Sequence, residues 1–126
     1  MGLQANSSCL LGEVYPNLEG CKLSGLNLTG LDFSHSNFGE ADVANANFQY
    51  SKLAGSNFQN ANLTGAFLDA ADLRQANFQN ANLTGAILTR TDLTGAILTG
   101  AILTGANLTN ATCPNGIVHG QSGANC

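Results

Sequence analysis

The sequence predicts an all-β solenoid in which four five-residue segments make one coil. Three observations carry this. From Pro16 to Asn115 twenty five-residue units follow one another without insertion or deletion, as Ala-Asn-Leu-Thr-Gly at 61–65 and 81–85 shows. Each unit has an apolar residue at its centre and usually a small one two positions earlier. Residues 57–66 recur unchanged at 77–86, twenty positions on, as expected if four units complete a coil and like residues stack on like. A period of five fits neither 3.6 nor two, so neither a long helix nor an ordinary strand accounts for it.

Three segments follow from this pattern: a non-repeating cap at 1–15, the repeat at 16–115, and a second cap or tail at 116–126. Within the repeat the centres run Leu18, Leu23, Leu28, Phe33, Phe38, Val43 and onward to Leu108 and Cys113. Residues two apart in extended backbone point to one side, so each unit turns a large and a small side chain inward and the residue between them outward. That outward residue is mostly Asn or Asp, such as Asn17, Asp32, Asn57, Asp72 and Asn107. The last position of a unit is usually Gly or Asn, the residues that accept the positive φ of a type II turn. His35, Glu40, Tyr50, Ala70, Gln75 and Arg90 accept it less readily, so turns of another type are expected there. Stacking in the twenty-residue register places Phe38, Phe58 and Phe78 in one internal column and Asn17, Asn37, Asn57 and Asn77 in one external ladder.

The run of Ala-Asp/Asn-Leu-x-x units resembles the pentapeptide repeat family, over about 100 of the 126 residues. The resemblance implies a right-handed quadrilateral β-helix of five coils, roughly 24 Å long at the spacing of stacked strands. Such a tower is a single domain whose open ends must be closed, because unpaired edges invite pairing with another chain.

The four cysteines fall at the two ends, Cys9 and Cys21 at one, Cys113 and Cys126 at the other. Cys21 and Cys113 would lie in the first and last coils, about 19 Å apart. A disulfide needs Cα atoms within about 7 Å, which favours Cys9–Cys21 and Cys113–Cys126 among the three possible pairings. Free buried thiols at Cys21 and Cys113 are the alternative, since both occupy inward positions. Spacings of 12 and 13 are not zinc-ligand spacings, and no metal is expected. Disulfides imply an oxidising compartment. Residues 1–15 show no leader and the chain has no apolar run long enough to span a membrane, so an already removed leader would reconcile the two facts. The Asn-x-Ser/Thr triplets starting at Asn6, Asn27, Asn62, Asn82, Asn107 and Asn110 arise mostly from the repeat itself and carry little weight.

No catalytic constellation is present, and no cofactor or enzymatic activity is expected. His35 sits at a turn and His119 in the tail, neither near a nucleophile or carboxylate at a family spacing. Net charge −4 and the scattered Lys22, Lys52, Arg74 and Arg90 argue against nucleic-acid binding. An acidic rod imitating duplex DNA, as in topoisomerase-inhibiting members of the family, is one alternative; here Lys52 interrupts the column of Asp32, Asp72 and Asp92. An ice-binding array is another, from Thr64, Thr84 and Thr104 in one column, but Asn62 and Asn82 occupy the rank beside it.

Phe67, Ile87, Ile97 and Ile102 stand in the outward slot usually held by Asn or Asp, and such exposed apolar residues mark a candidate interaction patch. The sequence therefore reads as a non-catalytic structural or protein-binding module, monomeric or weakly self-associating, with an unidentified protein partner. The cysteines and the resemblance to cyanobacterial and plastid members point to the periplasm or thylakoid lumen.

Overall fold

The computed structural model describes Cys9 and residues 17–126. The expected N-terminal cap at 1–15, apart from Cys9, lies outside the described residues, as does Pro16. From Asn17 onward the chain winds into four-sided coils, and each outward residue pairs in parallel with the residue twenty positions later, from Asn17–Asn37 through Asp92–Thr112. The first face carries Asn17, Asn37, Asn57, Asn77 and Ile97; the second Lys22, Asp42, Asn62, Asn82 and Ile102. The third face carries Asn27, Asn47, Phe67, Ile87 and Asn107; the fourth Asp32, Lys52, Asp72, Asp92 and Thr112.

Three backbone hydrogen bonds per unit hold one coil on the next. The central N–H donates to the outward carbonyl of the following coil, as Leu63 to Asn82 at 2.7 Å. The outward N–H donates back to the small residue's carbonyl, as Asn62 to Ala41 at 2.9 Å. The N–H of the fifth position donates to the fourth position of the following coil, as Gly65 to Thr84 at 2.9 Å. A turn bond such as Ala61 N–H to Phe58 carbonyl, 3.0 Å, closes each corner.

One donor per unit is left over, the N–H at the fourth position, and the outward Asn or Asp accepts it. Asn37 Oδ1 takes the Gly39 N–H at 2.9 Å, Asn77 takes Gln79 at 2.9 Å, and Asp92 takes Thr94 at 3.0 Å. The outward position is therefore an Asx-turn site rather than merely a polar one. Where Thr112 replaces Asn, the fourth position is Pro114, which has no N–H to satisfy. The Asn ladder bonds along its column as well, Asn37 Nδ2 to Asn17 at 3.3 Å and Asn57 Nδ2 to Asn37 at 3.2 Å.

Inside, Phe38, Phe58 and Phe78 stack with centroids 4.7 and 5.2 Å apart and planes within 6°. Phe33 and Phe48 meet this column edge-on, so the aromatic rings form one contiguous core segment. Ser51, Ser56 and Thr91, buried at the small position, return their hydroxyls to the carbonyl three residues back at 2.6–2.8 Å. Ser36 is equally buried and its hydroxyl has no partner among the described residues.

The expectation of different turns at six corners is wrong. His35, Glu40, Tyr50, Ala70, Gln75 and Arg90 all have φ between 56 and 62°, in the same left-handed region as the Asn corners (58–61°) and the Gly corners (68–73°). The left-handed conformation costs roughly 1–2 kcal/mol per residue. Each of these corners also gives its N–H to the neighbouring coil, for example Glu40 to Gln59 and Ala70 to Thr89, both at 2.9 Å. Coil stacking overrides local preference. The other departure is at Asn115, where the positive φ moves on to Gly116 and the chain leaves the repeat.

Replacing Ala70 (φ 58°) by Gly should therefore raise unfolding free energy by about 0.5–1 kcal/mol in urea titration, whereas Ala66→Gly, at a buried position without positive φ, should lower it.

Candidate functional site

The candidate patch divides into two parts. Phe67 and Ile87 are directly paired neighbours on the third face, Phe67 43% exposed and Ile87 half-buried. Ile97 and Ile102, 45% and 48% exposed, lie on the first and second faces of the last coil. All four displace the Asx acceptor, so the N–H groups of Asp69, Thr89, Thr99 and Thr104 have no side-chain partner among the described residues. An unmade bond of this kind costs about 1 kcal/mol where water replaces it imperfectly.

At the corner that follows the third face, Tyr50, Ala70 and Arg90 occupy the same position in successive coils. Arg90 reaches Asp69 at 2.7 Å, and Asp69 also accepts the Thr89 hydroxyl. The Arg90 bond, then the Thr89 bond, hold the Asp69 carboxyl below its ordinary value of 3.8. Asp69 first, with Tyr50 next, holds Arg90 above its own ordinary value. Tyr50 is 60% exposed. Two apolar side chains thus sit beside a tyrosine and a guanidinium fixed by its carboxylate. Sequence reading missed Tyr50, Asp69 and Arg90 because they look like irregularities of single units; only the twenty-residue register brings them together.

Two cations offset part of the charge of the acidic column. Asp72 pairs with Arg74 at 2.7 Å, and Lys52 lies between Asp32 and Asp72. In the threonine column the hydroxyls of Thr64 and Thr84 donate to Asn62 and Asn82 at 2.6 Å, inside their own units.

At the ends, Cys9 is bonded to Cys21 and Cys113 to Cys126, with Cα separations of 5.8 and 5.3 Å. The tail returns as a hairpin, Thr112 pairing antiparallel with Val118, and His119 Nδ1–H donates to the Cys126 carbonyl at 2.9 Å. His119 therefore comes within 4.8 Å of both sulfurs, a proximity that the spacings did not reveal. With the disulfide formed neither sulfur is a thiolate, and the trio offers no metal donor set. Among the described residues no helix is long and apolar enough to cross a membrane.

The model described as "Pentapeptide repeat region" matches residues 16–88, and that described as "Pentapeptide repeats (8 copies)" matches 76–112. The chain belongs to the pentapeptide repeat family. Its fold is the right-handed quadrilateral β-helix of solved pentapeptide repeat proteins. HetL of the cyanobacterium Nostoc, a pentapeptide repeat protein involved in heterocyst differentiation regulation, is similar at 33% identity and TM-score 0.61 over 83% of this chain. This chain spans about half, 52%, of the HetL structure. A pentapeptide repeat protein from the Arabidopsis thaliana thylakoid lumen is similar at 32% identity and TM-score 0.58, over 86% of this chain and 83% of that one. Rfr23 of Cyanothece is similar at 28% identity and TM-score 0.61, over 73% of this chain and 83% of that one. Among curated proteins no sequence matches significantly.

The depressed Asp69 titration has a direct consequence for this pentapeptide repeat protein. Its contribution to stability is complete above 3.8 and is lost as pH falls below that value. Denaturant titrations at descending pH should show the loss beginning there, and Asp69→Asn should start from lower stability at neutral pH and lose less on acidification.

Proposed function

We propose that the protein is a rigid, non-catalytic interaction module of an oxidising extracytoplasmic compartment, the periplasm or thylakoid lumen, and that it docks a protein partner through its third face. The observation that carries this reading is the Phe67–Ile87 pair. These residues stand where the scaffold usually places an Asx acceptor, and they leave the Asp69 and Thr89 N–H groups without it. A local bond is forfeited in favour of exposed apolar surface, which is the signature of a surface kept for binding. Tyr50 and Arg90 at the adjoining corner have the composition of interface anchors, and the Asp69 bond pre-orders the guanidinium.

The interior supports a non-catalytic role. It is filled by stacked Phe and Leu side chains, and the buried polar groups are Ser36, Ser51, Ser56 and Thr91 alone among the described residues. The two disulfides and the likeness to a thylakoid lumen protein support the compartment.

Phe67→Asn combined with Ile87→Asn separates binding from folding, because each Asn restores the local acceptor. The double variant should unfold at equal or higher denaturant than the parent and should lose capture of the partner retained by the parent from an extract of its native compartment; undiminished capture overturns the third-face assignment. Thiol titration of native protein isolated from cells tests the compartment: no reactive thiol before reduction and four after it are expected, and four free thiols at the outset would rule it out.

A further inference from the structure

The tail brings Cys113, His119 and Cys126 together, their sulfurs and an imidazole nitrogen all within 4.8 Å of one another. Among the described residues no other three His, Cys, Asp or Glu side chains converge in this way, and the Cys9–Cys21 bridge belongs to no such group. The disulfide is not what holds the three residues in place. Cys113 is fixed at its N–H, which donates to the Ile117 carbonyl at 2.9 Å, and at its carbonyl, which accepts the Gly116 N–H at 2.8 Å. The His119 N–H donates to the Ala111 carbonyl at 2.8 Å. Asn115 clasps the segment leading to Cys126: its N–H donates to Asn125 Oδ1 at 3.1 Å and its side-chain amide to the Gly123 carbonyl at 2.6 Å. Cys126 itself accepts the His119 ring N–H through its carbonyl at 2.9 Å. None of these bonds involves a sulfur atom, so opening the disulfide leaves the two cysteines and the histidine side by side.

We propose that in its dithiol form this tail binds one Zn²⁺ through Cys113, His119 and Cys126, so that a metal ion replaces the staple that the disulfide supplies in the oxidised form. Two steps connect the forms. A dithiol reductant is oxidised to its own disulfide, and two electrons and two protons pass to Cys113 and Cys126. Zn²⁺ then displaces the two thiol protons to solvent and binds the thiolates.

The donor set selects the ion. Two thiolates and an imidazole suit Zn²⁺, and the two negative charges balance the dication. The chain has no Asp or Glu after Asp92, so the tail lacks the carboxylates that Ca²⁺ and Mg²⁺ require. Two thiolates bound tetrahedrally at about 2.3 Å from zinc lie about 3.8 Å apart. Cα atoms 5.3 Å apart can carry sulfurs at that spacing without movement of the hairpin backbone. The bond from His119 Nδ1–H to a backbone carbonyl is the outer bond that zinc-bound imidazoles usually make, and it leaves the lone pair on Nε2. Cys113 is fully buried, Cys126 partly so, and His119 is exposed. An ion therefore enters from the His119 side, and its fourth position is left to water.

The site is independent of the third-face docking surface, because the tail returns onto the fourth face. In an oxidising compartment the disulfide prevails, and the zinc form arises where a dithiol reaches the tail. Its test uses the full chain, reduced with a dithiol, freed of it without oxygen, mixed with Zn²⁺ and passed through gel filtration. One zinc ion per chain should be retained by the reduced protein and none by the oxidised protein. Co²⁺ in place of Zn²⁺ should give the thiolate charge-transfer absorption of a tetrahedral site, and added Zn²⁺ should abolish it. Cys126→Ser should lose the retained ion. His119→Ala should weaken the affinity at least about 10-fold, and His119→Cys, which supplies another zinc ligand, should restore it. No ion on the reduced chain overturns the proposal, as does retention undiminished in Cys126→Ser or affinity unchanged in His119→Ala. Two ions per chain, one at each cysteine pair, overturn it as well.

Discussion

Parallel backbone pairing at an offset of twenty residues is the constraint on which the rest of this molecule depends. It converts a five-residue sequence period into four straight sides, because every outward residue must exchange bonds with its counterparts one coil above and below. The register then dictates the core: a large residue lies on a large one, and the rings of Phe38, Phe58 and Phe78 are brought to stacking distance by the strand spacing itself. It also sets the backbone at the corners, where Tyr50 and Arg90 accept a conformation that their side chains disfavour because the neighbouring coil already has it.

Much of this was legible in the sequence because the period is unbroken. The centres, the small positions, the Phe column and the Asn ladder follow from spacing alone. What spacing does not contain is the balance between neighbours and local preference. Ala70 and Gln75 read as poor left-handed residues, and they are, but in that conformation each gives its N–H to the next coil, Ala70 to Thr89 and Gln75 to Thr94. The outward Asn and Asp read as polar surface; their larger role, accepting the one N–H that stacking leaves unpaired, appears only when all donors of a unit are accounted for.

The candidate sites were legible to a smaller degree. Phe67, Ile87, Ile97 and Ile102 stand out as apolar letters in a polar slot, so the pattern reveals them without coordinates. Their division into a third-face pair and a last-coil pair depends on which corner each one follows. The Tyr50–Asp69–Arg90 group is dispersed over forty residues of sequence and is assembled by two turns of the coil. The path of the tail was not legible at all: its hairpin and disulfide return it onto Ala111, Thr112 and Cys113.

Where the outward residue is Asn or Asp, the Asx bond pairs the last free backbone donor of its unit, and this has a consequence for how such a surface diversifies. The outward slots form a grid with fixed rows and columns, and any residue can be written there without disturbing the backbone around it. Every letter other than Asn or Asp releases one amide to solvent, at about 1 kcal/mol or less. The tower is thus a display whose message length is limited by its stability, and the aromatic stack and two disulfides set how many letters it can hold.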